Sequence, residues 1–246
     1  MPISVCNCIY KIIEKVIAVR LKPIISRNIS KEKFGFLDGR QIHEAIGLAQ
    51  ETLHNIKRSR KKGVILKIDL SKAYDRINWL YLRLLLTHLG FNYTFISWIM
   101  GCISNVSFAV LINGAASPFF KSQRGLRPGC PLSPLLFLLV AEGLSRLIHK
   151  ARRLNKIKGI EVAFNLYISH LLFVDDILIF SNGSHNELKE LKIIFDLFMK
   201  ATGMLINSGR RMRRRWRRWR RRRRWRWRAW RRWRRRRRWW WWRKCS

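Results

Sequence analysis

A chain of 246 residues with 48% hydrophobic content can bury a substantial core, and its formal net charge of +38 points to anionic partners. The charge is uneven: Arg210 to Lys244 holds 22 Arg, 10 Trp and one Lys with no acid, so the rest of the chain keeps 29 basic residues against all 14 acids, a net charge of +15. The longest purely apolar run, Leu135 to Ala141, falls far short of the roughly 20 residues that a membrane span requires. The apolar stretch after Met1 is interrupted by Lys11, Glu14 and Lys15 and lacks a basic start and a small-residue cleavage site. An intracellular protein, nuclear or cytoplasmic and without membrane contact, is therefore expected. Cys6, Cys8, Cys102, Cys130 and Cys245 show no metal-ligand spacing and read as reduced thiols, and the six histidines are too scattered to complete a ligand set.

In chain order, residues 6 to 21 carry Ile9, Ile12, Ile13, Val16 and Ile17 at helical spacing, and His43 to Ser59 reads as a second helix through Ala45, Leu48, Ala49 and Leu53. Lys57, Arg58, Arg60, Lys61 and Lys62 mark an exposed turn. Val64 to Leu70 is a short β-branched run followed by a helical stretch from about Ile77, and Trp79 to Leu89 and Tyr93 to Ile103 are helices divided by Gly90. Val106, Phe108, Val110 and Ile112 alternate on one face, and Asn113-Gly114 predicts a hairpin turn into a strand over Pro118 to Gln123. Pro131 to Lys150 reads as a long apolar helix whose Leu135, Leu136, Leu139 and Leu144 belong to the core. His170 to Val174 and Ile177 to Ser181 are strands around a tight turn. Ser184 and Glu187 form a capping box for a helix over Glu187 to Ala201 that turns Leu188, Leu191, Phe195 and Phe198 inward and stops at Gly203. These elements predict an α+β fold, an antiparallel sheet backed by helices.

The chemistry concentrates in HLLFVDDILIF, where Asp175 and Asp176 sit at or beside the hairpin turn. Adjacent carboxylates tend to take up a proton unless a hard cation holds them ionised, which argues for Mg²⁺. Asp69 falls at the end of the Val64 strand in VILKIDLSKAYDRINW. A carboxylate there, joined by a two-carboxylate hairpin, is how phosphoryl-transfer enzymes hold two metals roughly 4 Å apart about an attacking and a leaving oxygen. Asp75, beside Arg76 and one turn before a helix, fits a cap or surface ion pair better than a ligand.

Six segments in this order resemble the reverse transcriptase of plant-type non-LTR retrotransposons, the long interspersed elements: PISVCNCIYKIIEKVIAVRLK from Pro2, FGFLDGRQI from Phe34, KIDLSKAYDRINW from Lys67, SFAVLINGAASPFFKSQRGLRPGCPLSP from Ser107, HLLFVDD, and GMLIN from Gly203. The resemblance spans roughly residues 2 to 210. It implies a right-hand polymerase palm over 63–209 and partial fingers over 1–62, with the thumb missing. By the same resemblance Asp69, Asp175 and Asp176 are the catalytic, metal-holding carboxylates of a two-Mg²⁺ nucleotidyl transfer, on an RNA template with a DNA primer and deoxynucleoside triphosphates. Tyr74 takes the place of the aromatic that closes against the sugar 2′ position. Arg40 resembles a fingers residue that contacts the triphosphate, a task suited to a guanidinium fork. Gly129 would let a backbone approach the primer-template closely.

This chain departs from its relatives where many read RQGDPLSP and it reads RPGCPLSP. Pro128 replaces a glutamine expected near the nucleotide, and Cys130 replaces an acid. Val174 stands where close relatives more often have Ala, and Ser208, Gly209 and Arg210 follow the Ile-Asn pair in place of a lysine and a serine. The Arg/Trp composition of 210–246 has the character of translated G-rich simple sequence, and dense like charge predicts disorder there. The content is that of a truncated copy. Two readings follow: an RNA-directed DNA polymerase domain, or a catalytically inactive remnant that binds nucleic acid nonspecifically and loses it with salt. An RNA-templated RNA polymerase is disfavoured by Tyr74 and by the retrotransposon motifs.

Overall fold

The structure, a computed structural model, describes residues 8–58, 63–105, 107–163 and 166–207. The Arg/Trp segment, most of the basic turn before the Asp69 strand, and Val106 lie outside the described residues. Met1–Asn207 cluster as one compact unit. In chain order the elements are α1 (Cys8–Asn28), β1 (Lys33–Phe34), α2 (Ile42–Arg58), β2 (Val64–Ser71), a 3₁₀ turn over Tyr74–Arg76, α3 (Trp79–His88), α4 (Tyr93–Ser104), β3 (Ser107–Phe108), β4 (Leu111–Ile112), β5 (Ala115–Ala116), β6 (Phe120–Lys121), α5 (Ser133–Arg153), β7 (Ile160–Ala163), β8 (Leu166–Ile168), β9 (His170–Phe173), β10 (Asp176–Ser181), α6 (His185–Thr202) and β11 (Leu205–Ile206). Among the described residues no helix is long and apolar enough to cross a membrane.

The fold is α+β, as the sequence predicts. Five strands form the central sheet in the order β1-β9-β10-β2-β11, and every pairing is antiparallel except β1 on β9. Alternation along the strands divides the sheet into two faces. On one, Leu172, Ile177, Ile179, Ile68 and Leu70 are buried on the side of α5, where the Lys33 ammonium donates to the Leu138 carbonyl at 2.6 Å. On the other, Phe34, Leu171 and Phe180 join Ala45, Ala49 and Ile56 of α2 and Ile160 and Ile168 of the β7–β8 hairpin in one apolar cluster. That second face also carries Asp69 and Asp176, partners across β2 and β10.

Helix α5 is the main core element. From Leu135 to Ala141 every residue is buried, as are Leu144 and Ile148, which is why this run reads as nearly continuous hydrophobicity. Helix α6 is capped as expected on its Ser184 side, whose hydroxyl accepts from the Glu187 N–H at 3.3 Å. The reciprocal half of the capping box is absent: the Glu187 carboxylate accepts from Gly159 N–H at 2.9 Å and Asn182 N–H at 3.3 Å, so it ties the β7 entry to the helix. Gly203 closes α6 with φ 76°, and Leu188, Leu191, Phe195 and Phe198 are buried.

Three elements carry detail beyond the sequence reading. Ile9, Ile12, Ile13 and Val16 of α1 are exposed, and Glu14, Ile17, Ala18, Leu21 and Ile25 form its buried face, which the Tyr10 hydroxyl, donating to the Gly101 and Cys102 carbonyls, and the Glu14–Arg127 pair help to seat. The hairpin around Asn113-Gly114 exists, with both turn residues at positive φ, and among the described residues it forms two short ladders, β3 with β6 and β4 with β5, separate from the five-stranded sheet. Its Leu111, Ile112 and Phe119 are exposed. Finally, α3 starts at Trp79 as the sequence predicts, with the Asn78 side chain accepting from Leu80 N–H as its cap.

Candidate active site

The carboxylates meet because of strand register. Asp176 is the Cα partner of Asp69 across β10 and β2, so the two side chains leave the same face with Cβ atoms about 5 Å apart. Asp175 occupies the turn between β9 and β10, where Phe173 pairs with Asp176, and its carbonyl accepts from Leu70 N–H at 3.4 Å. The three residues expected to act together are thus placed side by side at one end of the sheet.

Val174, the first central residue of that turn, has φ 51°. Positive φ at this position alone is the pattern of a II′ turn, which favours glycine, and a β-branched residue there is strained.

Each carboxylate has a partner. Asp176, 7% exposed, lies 3.0 Å from the Lys67 ammonium. The Asn207 side-chain amide donates to Asp69 Oδ2 at 3.1 Å, and the Asn207 N–H donates to the Asp69 carbonyl at 2.8 Å. Asn207 reaches Asp69 because β11 pairs with β2 at Leu205↔Ser71 and Ile206↔Leu70. Lys67 and Asn207 were not singled out by sequence reasoning as site residues, although both fall inside the quoted segments. The signal for Lys67 is its period-2 spacing from Asp69.

Tyr74 lies beside this group. Its ring stacks on Phe137 of α5, with centroids 4.7 Å apart and planes 12° from parallel. Burial raises its phenol well above the usual range, and the charge of Asp175 adds to the effect. The loop before α5 fixes the turn that carries Tyr74: Leu126 N–H donates to the Tyr74 carbonyl and Gly125 N–H to the Ile77 carbonyl, both at 2.8 Å, and the Trp79 indole donates to the Gly125 carbonyl at 2.7 Å. A Cβ on Gly125 would stand 2.7 Å from the Asp75 carbonyl, so only glycine permits the approach.

Arg40 braces its own segment. Its guanidinium donates to the carbonyls of Ser30 at 2.6 Å, Ile29 at 3.2 Å and Lys33 at 3.3 Å. Gly129 has φ 83° with open space where a Cβ would be, so its glycine answers to backbone conformation. Cys130 is buried; burial raises its thiol pKa, with Glu14 contributing. Glu14 is itself buried and pairs with Arg127, so α1 supplies the acid of this loop.

Residues 1–209 match the family described as reverse transcriptase (RNA-dependent DNA polymerase). The chain belongs to this family. It is similar to the Transposon TX1 uncharacterized 149 kDa protein of Xenopus laevis, 30% identical over 61% of this chain and 11% of that protein. It is also similar to the retrovirus-related Pol polyprotein from type-2 retrotransposable element R2DM of Drosophila melanogaster, 24% identical over 84% of this chain and 19% of the polyprotein. These relatives make it a reverse transcriptase domain of the non-LTR retrotransposon type. The telomerase of Candida albicans, solved in complex with a TWJ fragment of telomeric RNA, superposes with a TM-score of 0.58 at 13% identity, over 81% of this chain and 34% of that one, and shows the same fold.

The structure also brings together residues that no sequence spacing connects. The histidines do form a cluster with an acid: ligand atoms of Glu32, His149 and His170 all lie within 4.8 Å of one another. Among the described residues this is the one group of His, Cys, Asp and Glu so arranged. Burial pushes the His170 imidazole down to about 3. Burial raises the Glu32 carboxyl, but the hydrogen bond from His149, one at its own backbone, and the charges of His170 and His149 outweigh it and bring it down to about 2.

Proposed function

We propose that this domain carries out RNA-directed DNA synthesis, with Asp69, Asp175 and Asp176 holding two Mg²⁺ ions. The observation that supports this most is the register that sets Asp69 opposite Asp176 with Asp175 in the adjoining turn. The residues suit a hard cation: they offer carboxylate oxygens, and the buried Asp176 carboxylate already draws the Lys67 ammonium to 3.0 Å. Bound there, the ions would supply neutralisation of charge on the transferring phosphate and activation of the primer 3′ hydroxyl. In the reaction that oxygen bonds to the α-phosphorus of a deoxynucleotide as the bond to the leaving pyrophosphate breaks.

The chain's own residues have separable tasks. Asn207 fixes the Asp69 carboxylate, and Lys67 balances Asp176 until substrate and cation arrive. Tyr74, held flat by Phe137 and kept as a neutral phenol, would close against the sugar 2′ position and favour deoxynucleotides over ribonucleotides. Arg40 would exchange its carbonyl partners for phosphate oxygens of the triphosphate, and the open backbone at Gly129 would approach the primer-template. Pro128, lacking the amide expected there, removes one donor from the nucleotide site.

Primer extension on an RNA template with Mg²⁺ tests this reading. The chain should incorporate deoxynucleotides and the Asp175→Asn variant should not. No incorporation by either, together with salt-sensitive nucleic-acid binding that the substitution leaves unchanged, would establish the inactive remnant instead.

A further inference from the structure

At the opposite end of β9 from the carboxylates, three side chains from distant segments converge. Glu32 immediately precedes β1, His149 lies toward the end of α5, and His170 opens β9. Glu32 Oε2 is 3.3 Å from His149 Nε2, and the two imidazole rings meet edge to face with centroids 5.3 Å apart. His170 is fully buried, with one ring nitrogen 3.0 Å from the Ser145 hydroxyl and the other 3.0 Å from the Ser169 hydroxyl. The side chains of Glu32 and His149 remain 23% and 27% exposed, which leaves a route in from solvent.

We propose that Glu32, His149 and His170 form a structural Zn²⁺ site, with water or the Ser145 hydroxyl completing a four-coordinate shell. Two imidazoles and one carboxylate are a donor set for zinc, whereas Mg²⁺ prefers oxygen alone. The serines strengthen the assignment: when one nitrogen of His170 binds a metal, the other carries its proton to a serine oxygen, and such an outer partner fixes ring and tautomer. Glu32 is the acid that faces the imidazole pair. Of the basic groups near His170, Lys33 and Arg152, Lys33 turns its ammonium to the Leu138 carbonyl and lies 3.8 Å from Glu142, which leaves Arg152 as the charge the ion must overcome.

The site would clamp three elements to one another close to the reaction centre. β9 runs directly from His170 to the Phe173–Asp176 hairpin, and β1 joins Glu32 to Gly35, where an added Cβ would stand 3.3 Å from the side chains of Phe173 and Val174. A metal at the base of β9 therefore stiffens the strand whose tip presents the carboxylates.

The test uses the full chain, freed of metal with a chelator and titrated with ZnCl₂ by calorimetry, with CoCl₂ absorption reporting coordination. One Zn²⁺ should bind per chain and raise the melting temperature, and cobalt should show the visible bands of a four-coordinate nitrogen-oxygen site. Glu32→Gln and His149→Ala, both at partly exposed positions, should each weaken binding on the order of a hundredfold. Asp69→Asn should leave it unchanged, which separates this site from the proposed polymerase centre. Absence of stoichiometric binding, or binding that survives both Glu32→Gln and His149→Ala, would show a hydrogen-bonded cluster only and overturn the assignment.

Discussion

The two ends of β9 contrast in how their chemistry is assembled. At Phe173–Asp176 the acidic groups come from adjacent residues and from the neighbouring strand in direct register. At His170 the partners, one carboxylate and one imidazole, come from the segment before β1 and from α5, and Glu32 and His149 are separated by 117 positions. The first end is built by local alternation and a turn. The second is built by packing a helix onto a sheet, so it forms only when the whole core does. Substitutions at the carboxylate end should therefore alter reaction and spare stability, and those under the helix should do the reverse.

The largest effect expected is on activity. Asp176→Asn should lower nucleotide incorporation on the order of a thousandfold, the equivalent of the several kcal/mol that metal-held charge stabilisation provides, while thermal melting stays close to that of the parent chain. A large fall in melting temperature would erase the contrast between the two ends. Next comes Phe137→Ala, which removes a fully buried ring and should cost about 3–5 kcal/mol in urea unfolding. Because Phe137 also supports Tyr74, the surviving folded fraction should discriminate less against ribonucleotides, and unchanged discrimination would detach Tyr74 from α5.

Smaller effects sharpen the comparison by touching neither end. Ser184→Ala removes the cap of α6 and should cost about 1 kcal/mol with incorporation unaffected. The pH dependence of stability offers the finest test. Burial raises Cys102 to about 11 from an ordinary value of 9.0, with Glu14 adding to the effect. The unfolded chain then releases this proton first, so stability should be intact below about pH 9 and decline as pH rises toward 11. Cys102→Ala should flatten part of that decline in urea titrations at successive pH values. An identical slope would place the titration elsewhere.

Much of the carboxylate end was legible in the sequence because its information is local. Leu, Ile, Val and Phe flanking Asp175 and Asp176 define two strands, and a tight turn follows from their spacing. Asp69 at a strand end, with Lys67 two residues earlier, fixes a face. The pairing of β2 with β10 was not readable from those runs, because strand register across about a hundred residues leaves no local trace; the family resemblance implied only that the three carboxylates act together. The histidine end was not legible, since no spacing links Glu32, His149 and His170, and each reads in isolation as a surface or core residue. Helix α1 was legible as a helix but its buried face was not: Ile9, Ile12, Ile13 and Val16 make an apolar stripe that stays exposed, while Glu14 is buried beside Arg127 of a distant loop, and periodicity carries no trace of a long-range ion pair.

The central claim, that Asp69, Asp175 and Asp176 hold divalent ions together, is tested most directly by replacing Mg²⁺ with Fe²⁺ and mapping oxidative backbone cleavage. The account predicts cuts around residue 69 and around residues 175–176, both suppressed by added Mg²⁺, whereas any cuts near residues 32, 149 and 170 should yield to Zn²⁺ and not to Mg²⁺. Absence of cleavage at 69 and 175–176, or cleavage there that Mg²⁺ leaves untouched, would contradict it.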